Sequence, residues 1–373
     1  MKRRQLPALT GLRFAIALLV VLVHFGQPAM PQGVLRDLAA SGAQGVPLFF
    51  VLSGFILTYV HSTGTGERQV LPGPFYRSRI ARLYPVYLAG LLLALPTLPW
   101  QPAWSAGVQH VTPSVVAVST LTMTQAWWPF AGFVWNSPGW SLSAEMLFYA
   151  LFPFVLGPVC RLSLNRVLLL LVIAFAGTQI APLAYAAISP DPGAYADFPL
   201  WLDVALFNPL VHLPSFLFGM GVGRLFVLRP EGSVGSGTAP LVALVLTLWA
   251  LVHATHFTTL TGNMMVRDGL LVPLYGLLIY TLAWQRGPLC ALLSRPSLVL
   301  LGESSYALYI LHWPLHAWLV RIAGVSDAAS QASPVFVGCY LALLIAAAIW
   351  VHKAVEIPMR ALIGGTSRRA RGG

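Results

Sequence analysis

The chain has 373 residues, of which 57% are hydrophobic and only 9% are charged, with a net charge of +11. Soluble globular domains carry roughly 25% charged residues, so this composition excludes a protein whose whole surface faces water. In a soluble chain the basic excess would favour nucleic-acid binding. Here it is explained by orientation in a membrane, and we expect the lipid bilayer, not nucleic acid, as a partner.

Ten apolar segments follow one another along the chain, each long enough to cross a hydrocarbon layer of ~30 Å at ~1.5 Å per residue. Backbone polar groups inside lipid need internal partners, which favours helices. The segments are 8–25, 44–61, 83–99, 141–159, 167–186, 207–226, 238–256, 269–285, 304–322 and 335–353. The sequence therefore predicts an all-α integral membrane protein of about ten transmembrane helices with no soluble domain.

The basic residues predict the orientation of these helices. If the amino terminus is cytoplasmic, all but four of the 22 Lys and Arg residues fall in cytoplasmic segments, as the positive-inside rule requires. The exceptions are Arg13, Arg36, Arg267 and Arg321. Both termini are therefore expected in the cytoplasm.

The first segment holds two titratable side chains, Arg13 and His24. A cleaved signal peptide also begins with basic residues, but these two side chains and the lack of a clear cleavage site favour a retained helix. Eleven residues span ~16 Å and about three turns, so both side chains face a similar side. Ionisable groups inside a span are functional candidates, although a hydrogen-bonded interior histidine is an equally good interpretation of His24 taken alone.

Two further groups of charged residues follow. Arg79 and Arg82 are three residues apart, share one helical face and suit phosphate oxygens; plain cytoplasmic charge is the alternative. Glu145 is the only charged residue between Arg82 and Arg161. It falls at the outer end of the fourth segment, in the predicted layer of His24. Histidine can accept a proton from a hydroxyl, and a carboxylate can orient it.

The segment 100–140 contains half of the 12 tryptophans. They are Trp100, Trp104, Trp127, Trp128, Trp135 and Trp140. An aromatic belt at the membrane interface is one interpretation, and a set of flat faces on which sugar rings stack is the other.

Histidine and cysteine patterns indicate no metal site. His312 and His316 are four residues apart, and His253 and His256 are three apart, but no cysteine or acidic residue at ligand spacing completes either pair. The three cysteines, Cys160, Cys290 and Cys339, are interpreted as structural.

Six motifs run in order along almost the whole chain. They are LTGLR at 9–13 with His24, GVPLFFVLSGF at 45–55, Phe75 with RIAR at 79–82 and Pro85, WSLSAE at 140–145 with Phe148 and Tyr149, GESSYALYILHWP at 302–314, and Glu356 with Pro358. In this order they resemble the membrane acyltransferase-3 family, the O-acyltransferases that modify bacterial polysaccharides, lipid-linked sugars and some antibiotics. Residues 1–358 are similar to the family's transmembrane domain, and 359–373 form a basic cytoplasmic tail.

The resemblance implies roles for individual residues. His24 becomes the expected general base, with Glu145 as its partner or as a second essential polar group. Contacts to the phosphates and pantetheine arm of CoA are expected from Arg13, Arg79, Arg82 and Ser53, and Gly54 would leave room for the thin arm. Residues expected on the acceptor path are Trp140, Ser143, Tyr149, Tyr309 and His312.

The implied reaction moves an acyl group, expected to be acetyl, from cytoplasmic acyl-CoA to a hydroxyl of an envelope polysaccharide or lipid-linked sugar at the inner (cytoplasmic) membrane. Acyl-CoA is a co-substrate, and no permanently bound cofactor is expected. Direct transfer and an acyl-imidazole on His24 are both open. The alternatives are tailoring of a small molecule such as a macrolide, or a transporter or flippase. A transporter of the inverted-repeat type would show paired Gly/Pro-broken helices in two matching halves, and the sequence lacks this pattern.

Overall fold

The computed structural model describes residues 5–63, 66–67, 70–100, 110–188, 200–229, 235–254, 265, 269–325 and 327–364. Within these ranges the chain forms helices and their connections, apart from a two-residue antiparallel ladder between β1 (Ser62–Thr63) and β2 (Gly66–Glu67).

The α-helices are numbered in chain order. They are α1 Pro7–Val21, α2 Val34–Ala40, α3 Gly45–His61, α4 Pro72–Ala94, α5 Pro113–Leu121, α6 Trp140–Cys160, α7 Leu164–Thr178, α8 Ile180–Ile188, α9 Leu200–Phe207, α10 Pro209–Leu228, α11 Ala239–Ala254, α12 Val272–Ala283, α13 Pro288–Leu293, α14 Pro296–Glu303, α15 Ser305–Ala323, α16 Ala328–Gln331, α17 Pro334–Val351 and α18 Ile357–Gly364. Single π turns follow α1 at Leu22–Gly26 and α17 at His352–Glu356.

Within the described residues, seven helical segments are long and apolar enough to cross a membrane. They are Pro7–Ala29, Val34–His61, Pro72–Pro99, Ser137–Cys160, Leu164–Ala187, Leu200–Leu228 and Pro334–Gly364. The shorter apolar helices α11 and α12 fall at the predicted seventh and eighth spans, and α15 covers the ninth. The all-helical prediction is confirmed, whereas the count of ten spans and the cytoplasmic placement of both termini stay predictions.

The third span begins earlier than the sequence predicted. Helix α4 starts at Pro72 and not near residue 83. A proline suits the first helical position because its missing amide proton would have no acceptor there and its φ is already helical. Arg77, Arg79 and Arg82 therefore lie on the helix itself, and the side chains of Arg79 and Arg82 are half-buried.

The end of the chain also stays helical for longer than expected. After the π turn, α18 continues through Gly364, past residue 359, where the basic tail was predicted to begin. Pro358 directly follows the π turn, in which the Ile357 amide donates to His352 O. Residues 365–373, the rest of the predicted tail, lie outside the described residues.

The internal contacts divide the chain into two compact units. The first is Met1–Gln69 with Leu151–Gly302, and the second is Val70–Ala150 with Glu303–Gly373. In the first unit α3 and α10 approach closely, because Gly54 faces the backbone of Phe216 and Gly219 faces the backbone of Val51. Small residues at a crossing let two main chains meet. Helix α10 therefore fills the space over Gly54, and the expectation that Gly54 leaves room for a substrate arm is wrong.

Glycine contacts also hold the amino-terminal helix of the first unit. Gly11 on α1 lies beneath the carbonyl of Leu293 in α13, and Gly302 in α14 lies against the carbonyl of Thr10. A side chain at either glycine would collide with main-chain atoms, which cannot move aside as a flexible side chain can. The helix that carries both titratable side chains of the first span is therefore fixed at its start.

In the second unit a chain of hydrogen bonds ties the segment before α6 to α4 and α6. Ser143 Oγ donates to Gln125 Oε1 at 3.1 Å and accepts from the Ala126 amide at 3.3 Å. Gln125 Nε2 donates to the Tyr87 hydroxyl at 3.1 Å, which donates to Thr120 O at 2.8 Å. Buried polar groups are costly unless they are paired, so this network fixes the path of the segment.

The tryptophans of this segment divide by exposure. Trp135 Nε1 donates to Leu91 O at 3.1 Å and has a structural role. Trp127 and Trp128 are 39% and 52% exposed, so both interpretations, interfacial belt and sugar platform, stay open for these two. Trp104 lies outside the described residues.

We expect Gly54→Ala to lower the midpoint of thermal unfolding in detergent. The added methyl group would meet backbone atoms of Phe216 and Gly219, and overpacking of this kind costs about 1–3 kcal/mol. Gly338→Ala is the matched control, because it lies within α17 with no atom near the added methyl. An unchanged midpoint for Gly54→Ala would contradict the close crossing of α3 and α10.

Candidate active site

The first arginine of the pair on α4, Arg79, lies against aromatic rings of the second unit. The guanidinium carbon of Arg79 is 5.6 Å from the ring centre of Phe75 and 5.9 Å from that of Tyr149. Its Nε donates to Ser78 Oγ at 3.4 Å. Stacking on aromatic faces stabilises a guanidinium group without occupying most of its N–H donors, so Arg79 is held in place with donors left for another group.

Glu145 and Tyr149 form the second half of this arrangement. They are one turn apart on α6, and the Tyr149 hydroxyl donates a short hydrogen bond to Glu145 Oε1. Tyr149 is 2% exposed, and Glu145 is half-buried. The carboxylate is close enough to Arg79 and Arg82 to interact electrostatically with both.

The predicted separation of Glu145 from the arginine pair by most of the bilayer is wrong. The Tyr76 hydroxyl on α4 donates to Ala150 O on α6 at 3.0 Å, while Tyr87, further along α4, lies beside Gly139. The two helices therefore run side by side in opposite directions, with Glu145 beside the arginine-bearing turns. Depth was misjudged because α4 starts at Pro72, which places the arginines inside the helix and not before it.

Among the residues that the structure describes, neither arginine of the pair forms an ion pair. In the part of the chain that the structure describes, no carboxylate oxygen lies within 4.0 Å of a guanidinium nitrogen of Arg79 or Arg82. Charged groups removed from water are costly unless they are paired. Two neighbouring guanidinium groups with nearby but not bonded carboxylates are suited to an anionic ligand, and phosphate oxygens match their donor geometry.

The carboxyl-terminal segment adds three residues that the sequence analysis gave no role. His352 and Glu356 are 4% and 2% exposed, and His352 Nδ1 lies 2.8 Å from Glu356 Oε2. Arg360 Nη1 lies 3.7 Å from Glu356 Oε1. His352 Nε2 lies 3.9 Å from Glu303 Oε2. Glu356 was recognised only as part of a closing motif, and its i, i+4 spacing to His352 and Arg360 was the available signal.

His24 belongs to the first unit and lies in the π turn that follows α1. It is exposed, and its Nδ1 is 2.7 Å from Val20 O. A carbonyl oxygen has no proton to give, so Nδ1 carries the hydrogen. The neutral ring then holds its lone pair on Nε2, the form in which an imidazole accepts a proton.

The bond from Nδ1 to the carbonyl four residues earlier is not special to His24. His61 makes it to Leu57 O at 3.0 Å, and His253 makes it to Trp249 O at 2.8 Å. What distinguishes His24 is its π turn, in which residue i bonds to i+5 and which is frequent at functional sites. The turn also shifts His24 from the direction that an unbroken α-helix would give it relative to Arg13.

The other residues predicted to bind the donor are placed as follows. Arg13 on α1 and Ser53 on α3 are half-buried and belong to the first unit, with His24. Arg79 and Arg82 belong to the second unit, with Glu145. The structure therefore brings the arginine pair and the carboxylate together within one unit, whereas the histidine is described with its own unit.

The predicted acceptor residues of the second unit are mostly buried. The Tyr309 hydroxyl lies 2.8 Å from Ser141 Oγ. His312 is completely buried, with Nδ1 2.5 Å from Tyr309 O. Ser143 is also completely buried and is bonded within the network described above. Trp140 is half-buried at the start of α6. These contacts indicate that Ser143 positions the chain, and its contact with an acceptor stays a prediction.

Two of the three cysteines, Cys160 and Cys290, are buried. Cys160 is buried and its Sγ donates to Ser62 Oγ at 3.2 Å. Burial raises the pKa of the Cys290 thiol, which disfavours the reactive thiolate.

The chain is similar to known proteins along nearly its whole length. The family described as "Acyltransferase domain" matches residues 6–353. "Acyltransferase MdmB" of Streptomyces mycarofaciens is 28% identical over 96% of this chain and 93% of its own length. "Peptidoglycan O-acetyltransferase OatA" of Listeria monocytogenes is 25% identical over 84% of this chain. "Exopolysaccharide production protein ExoZ" of Rhizobium meliloti is 35% identical over 30% of this chain.

The relatives differ in how much of their own length is matched. This chain spans 50% of OatA and 33% of ExoZ, compared with 93% of MdmB. No solved structure matches the chain at a significant level.

We expect Ser143→Ala to lower the stability of the protein. The change leaves Gln125 Oε1 and the Ala126 amide without their hydroxyl partner, which costs about 1–3 kcal/mol in a buried site. Thermal unfolding and the Michaelis constant for the acceptor are measured together. Ser114→Ala, at an exposed position of the same segment, is the control. A raised Michaelis constant at unchanged stability would instead place Ser143 in contact with the acceptor.

Proposed function

The chain belongs to the acyltransferase family that this domain defines, and from that premise we propose that it transfers an acetyl group from acetyl-CoA to a hydroxyl of a carbohydrate. One observation carries the proposal: Arg79 and Arg82 lie on a membrane helix beside Glu145, and neither forms an ion pair with any carboxylate in the described part of the chain. A CoA thioester brings both the phosphates that such a pair binds and the acyl group that the family transfers.

The donor is held mainly through its phosphates in this proposal. Arg79 is oriented by aromatic stacking before the ligand arrives, and Arg82 follows it on the same helical face. Pre-oriented arginines lose little side-chain entropy for each hydrogen bond formed. Arg13 and Ser53 of the first unit are proposed to contact the pantetheine arm.

Glu145 is proposed to act as a second essential polar group and not as the partner of His24. Its carboxylate accepts the Tyr149 hydroxyl and offsets part of the positive charge of the arginine pair. This holds the Tyr149 ring against Arg79. The role is therefore to position the donor site.

His24 is proposed as the general base. The acceptor hydroxyl oxygen attacks the thioester carbonyl carbon while its proton passes to His24 Nε2. The carbon–sulfur bond then breaks, and the leaving thiolate takes the proton from the imidazolium ring. The products are an ester and CoA, and His24 returns to its neutral form. An acyl-imidazole on His24, formed and then discharged by the hydroxyl, gives the same products in two steps.

The carbohydrate acceptor is proposed from the names of the relatives and from the exposed aromatic residues. Peptidoglycan and exopolysaccharide, the materials named for OatA and ExoZ, are both carbohydrate polymers. Trp127 and Trp128 present exposed ring faces, and sugar rings stack on such faces. We propose that the protein lies in the cytoplasmic membrane and draws its donor from the cytoplasm.

Purified protein in detergent, given labelled acetyl-CoA, tests the proposal directly. Transfer of label to peptidoglycan fragments or exopolysaccharide oligosaccharides is expected. Transfer only to a small molecule such as a macrolide would keep the enzyme class but replace the acceptor. No turnover of acetyl-CoA with any hydroxyl acceptor would favour a transporter or flippase instead.

We expect His24→Ala to reduce transfer by at least 100-fold, because general-base catalysis contributes typically 10²–10⁴-fold, while the amount of folded protein in the membrane is unchanged. His253→Ala is a matched control, since His253 is also exposed and also bonds the carbonyl four residues earlier. Initial rates per folded molecule are measured for both. A variant at His24 that keeps full activity would remove the base from the proposal.

We expect Arg79→Gln and Arg82→Gln each to raise the Michaelis constant for acetyl-CoA by about tenfold or more, because each removes charge-assisted bonds to phosphate. The constant for the acceptor should stay within about twofold. Arg166→Gln, which removes a charge from α7, is the control. Equal effects on both substrates would indicate a folding defect and not a donor site.

A further inference from the structure

Helix α18 lies against the start of α4 within the second unit. Arg77 Nη2 on α4 donates to Gly364 O, the last residue of α18, at 3.0 Å. Arg360, one turn earlier on α18, interacts electrostatically with Arg79. The fold therefore brings a guanidinium group from the end of the chain to the arginine pair.

A buried histidine–carboxylate pair controls the position of Arg360. Glu356 uses Oε2 to bind His352 Nδ1 at 2.8 Å and presents Oε1 to Arg360 Nη1 at 3.7 Å. His352 and Glu356 are almost fully buried, while half of the Arg360 side chain is exposed. The His352–Glu356 pair is thus enclosed by the protein, whereas the Arg360 guanidinium is partly exposed.

Three guanidinium groups that come together in this way repel one another. Glu356 interacts with Arg82 as well as with Arg360, which offsets part of the repulsion. No carboxylate in the described ranges bonds to Arg79. Like charges near a low-dielectric region are stabilised by an anion that touches several of them. A ligand with more than one phosphate group meets this requirement better than a single carboxylate.

We propose that Arg360, positioned by the His352–Glu356 pair, is the contact for the 3′-phosphate of the CoA donor, the phosphate group most remote from the thioester. This inference rests on the proposed use of acyl-CoA. The half-buried Arg79 and Arg82 then serve the diphosphate, nearer the thioester, and the half-exposed Arg360 serves the outer end of the molecule.

The test compares acetyl-CoA with acetyl-dephospho-CoA, which lacks only the 3′-phosphate, on the full-length protein in detergent. Arg360→Gln is expected to raise the Michaelis constant for acetyl-CoA about tenfold, with kcat unchanged. For acetyl-dephospho-CoA the same variant should differ from the wild-type protein by less than twofold. Arg360→Lys keeps the charge but loses the planar fork, so its Michaelis constant for acetyl-CoA should lie between those of the wild-type protein and Arg360→Gln.

Arg77→Gln is the matched control, because it removes a positive charge from the same region together with the bond to Gly364. It should leave the preference between the two donors unchanged, which separates loss of a phosphate contact from loosening of α18. Equal losses with both donors in Arg360→Gln, or a wild-type protein that does not distinguish them, would overturn the inference and leave the proposed function standing. A wild-type protein that uses neither donor would overturn the proposed function itself.

Discussion

The proposed donor site depends on two positive charges that lie on a membrane helix with no ion pair to any described carboxylate. Arg79 and Arg82 lie on α4, half-buried, and no carboxylate within the described residues bonds to either. Charges removed from water in this way need interactions that compensate for the lost hydration. For Arg79, stacking on Phe75 and Tyr149 compensates for part of the lost hydration. The remainder points to an anionic ligand, and a donor that carries phosphates and an acyl group connects this requirement to the chemistry of the family.

The surroundings of the arginine pair come from parts of the sequence that are far apart. Glu145 and Tyr149 come from α6, and Glu356 comes from the turn between α17 and α18. Each carboxylate is engaged by a neighbour of its own, Glu145 by Tyr149 and Glu356 by His352. The two carboxylates therefore weaken the positive field of the arginine pair without bonding to its N–H donors. This is the arrangement expected if, as proposed, the site binds a polyanionic donor that leaves again after its acyl group has been transferred.

Apolar segment lengths predicted the helical membrane fold, because the need to satisfy backbone groups in lipid leaves few alternatives. The arginine pair, Glu145 and His24 were found for a similar reason, since charges are rare inside such segments. The depth of the arginine pair relative to Glu145 was not predictable, because α4 begins at Pro72 and carries the arginines to the level of Glu145. His352 was given no role because its i, i+4 spacing to Glu356 was not used, and only the structure shows that the pair is buried in a π turn. Gly54 was misjudged because only the packed structure shows α10 against it.

The most direct test of the central claim is thermal unfolding of the purified protein in detergent with increasing CoA or pantetheine. Ligands that bind only the folded state raise its stability in proportion to the logarithm of their concentration once the site is saturated. If the arginine pair is a phosphate site, CoA raises the unfolding midpoint progressively and pantetheine, which lacks phosphates, does not. An absence of any shift with CoA, or the same shift with pantetheine, would contradict the account.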